Sequence, residues 1–217
     1  MIKIILKRGR DESLRRFHPW VFSGAIADVQ GNPSEGDLVS VYSCKAQCRA
    51  YRQIQIGSIA VRDLNFDDSA LNNDYWEVML PRALQVRIAA GLHVSDSDAP
   101  TNCYRLVHGE GDNLPGLIID YYDGVCVIQA HSVGMFRAKK HISDALQKVY
   151  GSELKAVYDK SSGTAPFKAG LELIDGYLYQ REGFNDDEQV VMENGQKFMV
   201  NWTEGQKTGF FLDQRDN

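Results

Sequence analysis

The sequence predicts an α+β protein of two modules, a small β-barrel followed by a domain that mixes helices with strands. Three observations carry this. The first third holds short apolar runs split by glycine-containing turns, a pattern of small barrels. From residue 74 onward, stretches with helical spacing alternate with short β-rich runs, as in α+β domains. Charge divides the same way: residues 1–62 carry a net +5 and residues 63–217 a net −10. Such asymmetry suggests two modules, the first facing something anionic.

The elements follow in order. Residues 2–7 are apolar and β-branched and read as a strand ended by Gly9. Residues 11–16 fit one or two helical turns, with Asp11 as N-cap. Trp20, Val21 and Phe22 form a short apolar run, and 31–36 is turn-rich. Leu38, Val39, Val41 and Tyr42 mark a strand over 37–43, and 49–55 and 58–64 fit two more. The polar stretch 65–73 reads as a linker.

Asp74 is placed to cap a helix over 75–92, with Met79, Ala83, Val86 and Ala90 on one face. Pro81 sits awkwardly inside it, so the regular part is expected to start there. Strands follow at 104–109, 117–121 and 125–131, the last two joined by the hairpin signal Asp123-Gly124. Residues 132–149 have the amphipathic spacing Ile142, Ala145, Leu146, Val149, and Gly151 stops that helix. Strands at 155–160, 177–181, 189–193 and 197–201 complete the module.

Composition excludes several classes. With 217 residues, 43% apolar and 24% charged, the chain resembles an ordinary soluble protein. No run of 18 apolar residues exists for a membrane helix, and no signal-length apolar stretch precedes the N-terminal charges. Cysteines 44, 48, 103 and 126 are then expected as reduced cytoplasmic thiols. Cys44 and Cys48 lack a second pair or a nearby His, so no metal site is expected.

Chemistry concentrates at the N-terminus. Lys7, Arg8, Arg10, Arg15 and Arg16 cluster around Phe17, His18 and Trp20. Cations release counterions from phosphates and aromatic rings stack on bases, so the cluster suits RNA. A merely solvated basic face with Trp20 in the core fits the same residues. Residues 109–116 (Gly-Glu-Gly-Asp-Asn-Leu-Pro-Gly) lack both the third glycine of a dinucleotide loop and the lysine of a Walker loop. They suit tight turns instead. His108 and Glu110 read as an accidental pair. Residues 161–164 (Ser-Ser-Gly-Thr) read as a plain loop, though their hydroxyls could hold a phosphate. No nucleophile elbow, metalloprotease motif or carboxylate pair is present, so no catalytic residue is assigned.

Three motifs carry a resemblance. Gly-Gln-Lys-Thr-Gly-Phe-Phe-Leu-Asp-Gln-Arg (205–215) resembles the segment leading into the S-adenosylmethionine domain of a bacterial methyltransferase family. Its members are PUA-domain-containing class I enzymes acting on cytosine C5 of 23S rRNA. His-Pro-Trp-Val-Phe-Ser-Gly (18–24) is similar to the family's PUA signature, and Glu-Gly-Asp-Asn-Leu-Pro-Gly-Leu-Ile-Ile-Asp (110–120) to its middle-domain signature.

The resemblance implies a PUA-like β-barrel at 1–70, a small α+β (strand-strand-helix-strand-strand) middle domain at 74–190, and strands and a linker at 191–217. A Rossmann-like methyltransferase domain would follow and is missing from these residues. So is the family's catalytic cysteine, because none of the four cysteines here has its context. RNA contacts are expected from Lys7, Arg8, Arg10, Arg15, Arg16, His18 and Arg62. Lys207, Thr208, Gln214 and Arg215 are expected near the cofactor. The stretch 49–57 departs from the family pattern. The expected partner is rRNA, with no membrane or metal, and a homodimer is left open. The reading at this stage is the RNA-binding portion of an S-adenosylmethionine-dependent rRNA methyltransferase, inactive alone. A stand-alone RNA-binding module is the alternative.

Overall fold

The computed structural model describes residues 2–44, 48–54, 58–65, 74–93, 99–166, 170–185 and 189–215. Most of the expected linker, from residue 66 to 73, lies outside the described residues.

The first domain is one sheet of six strands: β1 (Ile2–Leu6), β2 (Trp20–Phe22), β3 (Ile26–Gln30), β4 (Leu38–Tyr42), β5 (Cys48–Ile54) and β6 (Ile59–Asn65). Their order is β2-β6-β5-β4-β1-β3. Among the described strands of this sheet, only β1 and β4 pair in parallel. Laid flat, the edge strands of such a sheet would stand about 24 Å apart. Residues 23–25 alone connect edge β2 to edge β3, and that link reaches only about 15 Å. The sheet must therefore curl into a barrel. Ser23 N–H donates to the Ser58 carbonyl and Lys7 N–H to the Ala25 carbonyl, both at 2.9 Å, at the seam. Inside, Ile4, Leu6, Val21, Val39, Val41 and Val61 pack with Leu14 of the short helix α1 (Glu12–Arg15).

The strand β3 was not legible in the sequence. Ala27, Asp28, Val29 and Gln30 are all exposed, so no apolar alternation betrays it; pairing with β1 makes it a strand. Asp11 starts α1 but its side chain makes no capping bond. It accepts from Arg15 instead, one turn on.

The second domain holds α2 (Tyr75–Ala89), β7 (Cys103–His108), β8 (Leu117–Tyr122), β9 (Val125–Ala130), α3 (Val133–Tyr150), β10 (Ala156–Asp159) and β11 (Gly176–Gln180). The sheet order is β11-β10-β9-β8-β7. Three strands precede α3, as the apolar runs at 104–109, 117–121 and 125–131 predict, one more than the strand-strand-helix-strand-strand pattern that the resemblance implies. Asp123 and Gly124 both take positive φ, 43° and 93°, the geometry that lets a two-residue turn follow the twist of its strands. Strands β9 and β10 run parallel, as the crossover through α3 requires. The Ser132 hydroxyl caps α3, accepting from Met135 N–H at 3.3 Å.

Both faces of this sheet are covered. Leu106, Ile119, Tyr121, Ile128 and Val157 lie in one core with residues of α2 and α3. Cys103, Tyr122, Val125, Val127 and Tyr158 pack on the other face. Their partners are Val191 of β12 (Val190–Glu193), plus Val200 and Trp202 just after β13 (Gln196–Met199). That sandwiching explains why β9 reads Val-Cys-Val-Ile without polar alternation. In α2 the buried face is Leu80, Ala83 and Leu84, while Val86 is 58% exposed. The expected face was thus rotated by about one residue. The helix also begins at Tyr75 and runs through Pro81, rather than starting there. Asp74 precedes it without a side-chain capping bond.

Candidate nucleic-acid interface

Seven residues are expected at RNA, and the structure divides them. Lys7, Arg8, Arg10, Arg15, Arg16 and His18 are exposed. Arg8 and Arg15 line one cleft of about 520 Å³ with Gly9, Asp11, Glu12, Ser43 and Cys44. The Arg15 guanidinium donates to Asp11 at 2.9 and 3.0 Å, and Arg16 to Glu12 at 2.5 Å. The Arg16–Glu12 pair is exposed on both sides and contributes little to stability, so a phosphate oxygen can replace that carboxylate at low cost, whereas Asp11 is buried beneath Arg15. The Lys7 ammonium donates to the Gly24 carbonyl at 2.9 Å. His18 Nδ1 accepts the Trp20 backbone N–H at 3.2 Å, and its ring meets Trp20 edge to face at 5.6 Å.

Arg62 is placed differently. It sits on β6, opposite Trp20 of β2 in register, and is only 15% exposed. Its guanidinium lies 5.9 Å from the centre of the Trp20 ring and donates to Glu110 Oε1 at 2.9 Å. Trp20 Nε1–H donates to the same oxygen at 2.9 Å. Glu110 belongs to the second domain, so one carboxylate ties the two domains through two donors. The sequence rightly offers no role for the neighbouring His108, but it gives no sign of these partners 90 and 48 positions away. His108 instead gives its backbone N–H to Asp112 at 2.6 Å. Nearby, Arg137 approaches Asp37 at 3.6 Å. Gly36, at φ 87°, lies so close to α3 that a Cβ there would stand 2.8 Å from Val133 Cγ1.

The other end of the same segment holds the tail. Asp120 is fully buried and accepts from Arg105 at 2.8 and 3.0 Å. It also accepts from the fully buried Thr208 hydroxyl at 2.5 Å. Tyr122 Oη shares Thr208 Oγ1 at 2.8 Å. Asp120 lifts the Arg105 pKa through this hydrogen bond. Arg215 donates to Glu193 at 3.0 Å and to the Cys103 carbonyl at 2.8 Å. Lys207 and Gln214 are exposed. Lys207 reaches Asp213 at 3.3 Å and so pulls the Asp213 carboxyl below its usual pKa. Of the four residues expected at a cofactor, Thr208 has spent its hydroxyl inside the protein, and Arg215 is tied to Glu193. Lys207 and Gln214 keep their polar ends at the surface.

The hydroxyl-rich loop is structural. Ser161 is buried, donates to Asp159, and its oxygen accepts the Ala130 N–H at 2.9 Å. Ser162 and Thr164 bind Asp175 and the Ala130 carbonyl.

A curled basic barrel docked through Glu110 on an α+β domain is a PUA-like architecture, and residues 4–66 match the PUA-like domain family. Ribosomal RNA large subunit methyltransferase I of Pseudoalteromonas translucida is 36% identical over 216 residues, covering 99% of this chain and 52% of the relative. The Vibrio cholerae protein of the same name is 35% identical over 215 residues with the same coverage. A Streptococcus mutans structure assigned as a SAM-dependent methyltransferase superposes with a TM-score of 0.77 at 21% identity. It matches 99% of this chain and 52% of its own, which shows the shared fold. The chain is similar over its whole length to a part of these rRNA methyltransferases. It spans about half the length of the curated relatives it matches.

Proposed function

We propose that the chain is the RNA-binding portion of an S-adenosylmethionine-dependent methyltransferase that modifies cytosine C5 in 23S rRNA. The observation that carries this is similarity, along the whole of this chain, to about half the length of rRNA methyltransferases, with a PUA-like barrel whose basic face is exposed. In this reading Lys7, Arg8, Arg10, Arg15, Arg16 and His18 meet the RNA. Arg62 acts from behind by fixing Trp20 and Glu110. Residues 1–70 are the barrel, 74–190 the middle domain, and 191–217 lead toward the methyl-transfer domain. Lys207 and Gln214 face the cofactor, while Thr208 and Arg215 hold that segment in place. The working compartment is the cytoplasm, where ribosomes are assembled. No helix among the described residues is long and apolar enough to cross a membrane.

Titration with 23S rRNA fragments at several salt concentrations tests this. Binding should weaken steeply with salt, as phosphate neutralisation requires. No binding at low salt overturns the reading. The 217 residues alone should transfer no methyl group. Micromolar S-adenosylmethionine binding in calorimetry would contradict the view that most of the cofactor site lies in other residues.

A further inference from the structure

We infer that the outer face of α3, through Arg137, Lys140 and His141, is a second phosphate-binding surface that takes RNA from the barrel across the domain seam, a role that rests on the RNA-binding reading above. The second domain is acidic as a whole, with a net −10 over residues 63–217. Residues 131–141 (His-Ser-Val-Gly-Met-Phe-Arg-Ala-Lys-Lys-His) run against that balance, with three Lys or Arg, two His and no acid. Helix stability favours acids in the first turn, and α3 has none there. Its apolar side is turned to the core through Met135, Phe136, Ile142, Ala145 and Leu146. Positions 137, 140 and 141 lie three and four apart, so they share the opposite, exposed face. Lys139 is different. It donates to the buried Asp159 at 2.6 Å and lies 4.0 Å from the centre of the Phe136 ring, so it belongs to the fold.

Contacts run unbroken from the barrel's basic cluster to this face. The His18 ring meets Trp20 at 5.6 Å, and Arg62 lies 5.9 Å from the centre of the same indole. A Cβ on Gly116 would stand 3.8 Å from Arg62 Cδ and 3.3 Å from the hydroxyl of Ser132, the cap of α3. The Gly116 carbonyl accepts the N–H of the exposed His131 at 2.8 Å. Burial first, and then the charge of Arg62, push the His131 imidazole below its ordinary pKa; Glu110 opposes them and Arg105 reinforces them. One turn into the helix, Arg137 meets the barrel's Asp37 at only 3.6 Å, with both side chains partly exposed. Lys140 pairs with Asp144 at 2.5 Å, both exposed. Such pairs contribute little to stability, so phosphate oxygens can replace these carboxylates at low cost. An RNA strand that lies on the barrel's cations and crosses the seam therefore meets the α3 cations next. Phosphate contacts of this kind fix the position of a nucleic acid without reading its sequence. An acidic protein segment suits the same charges, but continuity with the barrel's basic cluster favours RNA.

The test compares wild type with Lys140→Ala, Lys140→Glu, Arg137→Ala combined with Lys140→Ala, and Lys148→Ala as control. The probe is the 23S rRNA fragment that wild type binds tightest, titrated over a range of salt. Each phosphate contact removed should lower the salt slope by about 0.7 to 0.9, which is about 4- to 6-fold in affinity at about 0.15 M salt. Lys140→Ala should show one such step and the double variant two, about 15- to 30-fold. Lys140→Glu should lose more than Lys140→Ala, because it adds repulsion. Lys148 is exposed on the same helix, about 12 Å along the axis from Lys140, beyond the screening length of physiological salt. Its removal should change affinity by less than about 2-fold. All substitutions fall at exposed sites, so thermal midpoints should match wild type. Unchanged affinity and slope in Lys140→Ala and the double variant overturn the inference, leave the barrel reading intact and make an acidic protein segment the better occupant. An equal loss with Lys148→Ala also overturns it, since net charge alone would then act. Wild type that binds no fragment at low salt overturns both readings.

Discussion

Glu110→Ala removes the acceptor shared by the barrel's Trp20 and Arg62. Each lost hydrogen bond reaches a carboxylate at 2.9 Å, and such bonds are worth about 1.5–3 kcal/mol apiece. Glu110 is 36% exposed, so water screens part of that. The net cost expected for the domain junction is about 2–3 kcal/mol. Glu110→Gln keeps an oxygen for the Trp20 indole and loses the charge, and should cost about 1 kcal/mol. Hydrogen exchange of barrel amides, alongside urea unfolding, reads the loss. A double-mutant cycle of Glu110→Ala with Arg62→Met should give a coupling of about 1–2 kcal/mol. If Glu110→Ala stays within about 0.5 kcal/mol of wild type and the coupling vanishes, the carboxylate is not what joins the domains.

Thr208→Val is isosteric but strips Asp120 of one donor and leaves Tyr122 Oη without its hydroxyl partner. It should cost about 2 kcal/mol and expose residues 205–215 to proteolysis first; unchanged protection would refute the latch. Arg15→Ala with Arg16→Ala should weaken RNA binding uniformly across sequences and lower the salt slope by about 2; loss for one sequence alone would indicate base readout. Burial, with Glu193 adding to it, pushes the Cys103 thiol from 9.0 up to about 12. Above pH 9 the unfolded chain therefore releases a proton that the folded chain keeps. Stability from this group is complete below about pH 9 and falls as pH rises toward 12, by up to about 1.4 kcal/mol per pH unit. Burial raises Tyr104, Tyr121 and Tyr122 in the same direction. Cys103→Ala should flatten the urea midpoint between pH 9 and 11 by one proton's worth; an unchanged slope would refute the shift.

Much of the architecture was readable along the chain because the signals are local. An apolar, β-branched run marked β1, alternation marked β4, the Asp123-Gly124 pair marked a hairpin, and Ile142, Ala145, Leu146 and Val149 marked α3. A motif such as residues 205–215 also carries its family with it, since residue identity in order is all a resemblance needs. The charge division pointed to the basic barrel for the same reason. What the sequence could not supply was any fact requiring two distant segments to meet. The strand β3 exists by pairing with β1, not by composition. The buried face of α2 depends on which way the helix is turned against the sheet, and so Val86 was misplaced. Above all, the stretch 110–120 is a junction. Glu110 at one end takes the barrel's Trp20 and Arg62, and Asp120 at the other takes Thr208 of the tail. Those partners lie 90, 48 and 88 positions away, and only folding brings a carboxylate within hydrogen-bond reach of them. The sequence by itself determined most of the elements, the charge division and the motifs that carry the resemblance. The tertiary structure decided which arginines remain at the surface and which one holds the two domains together.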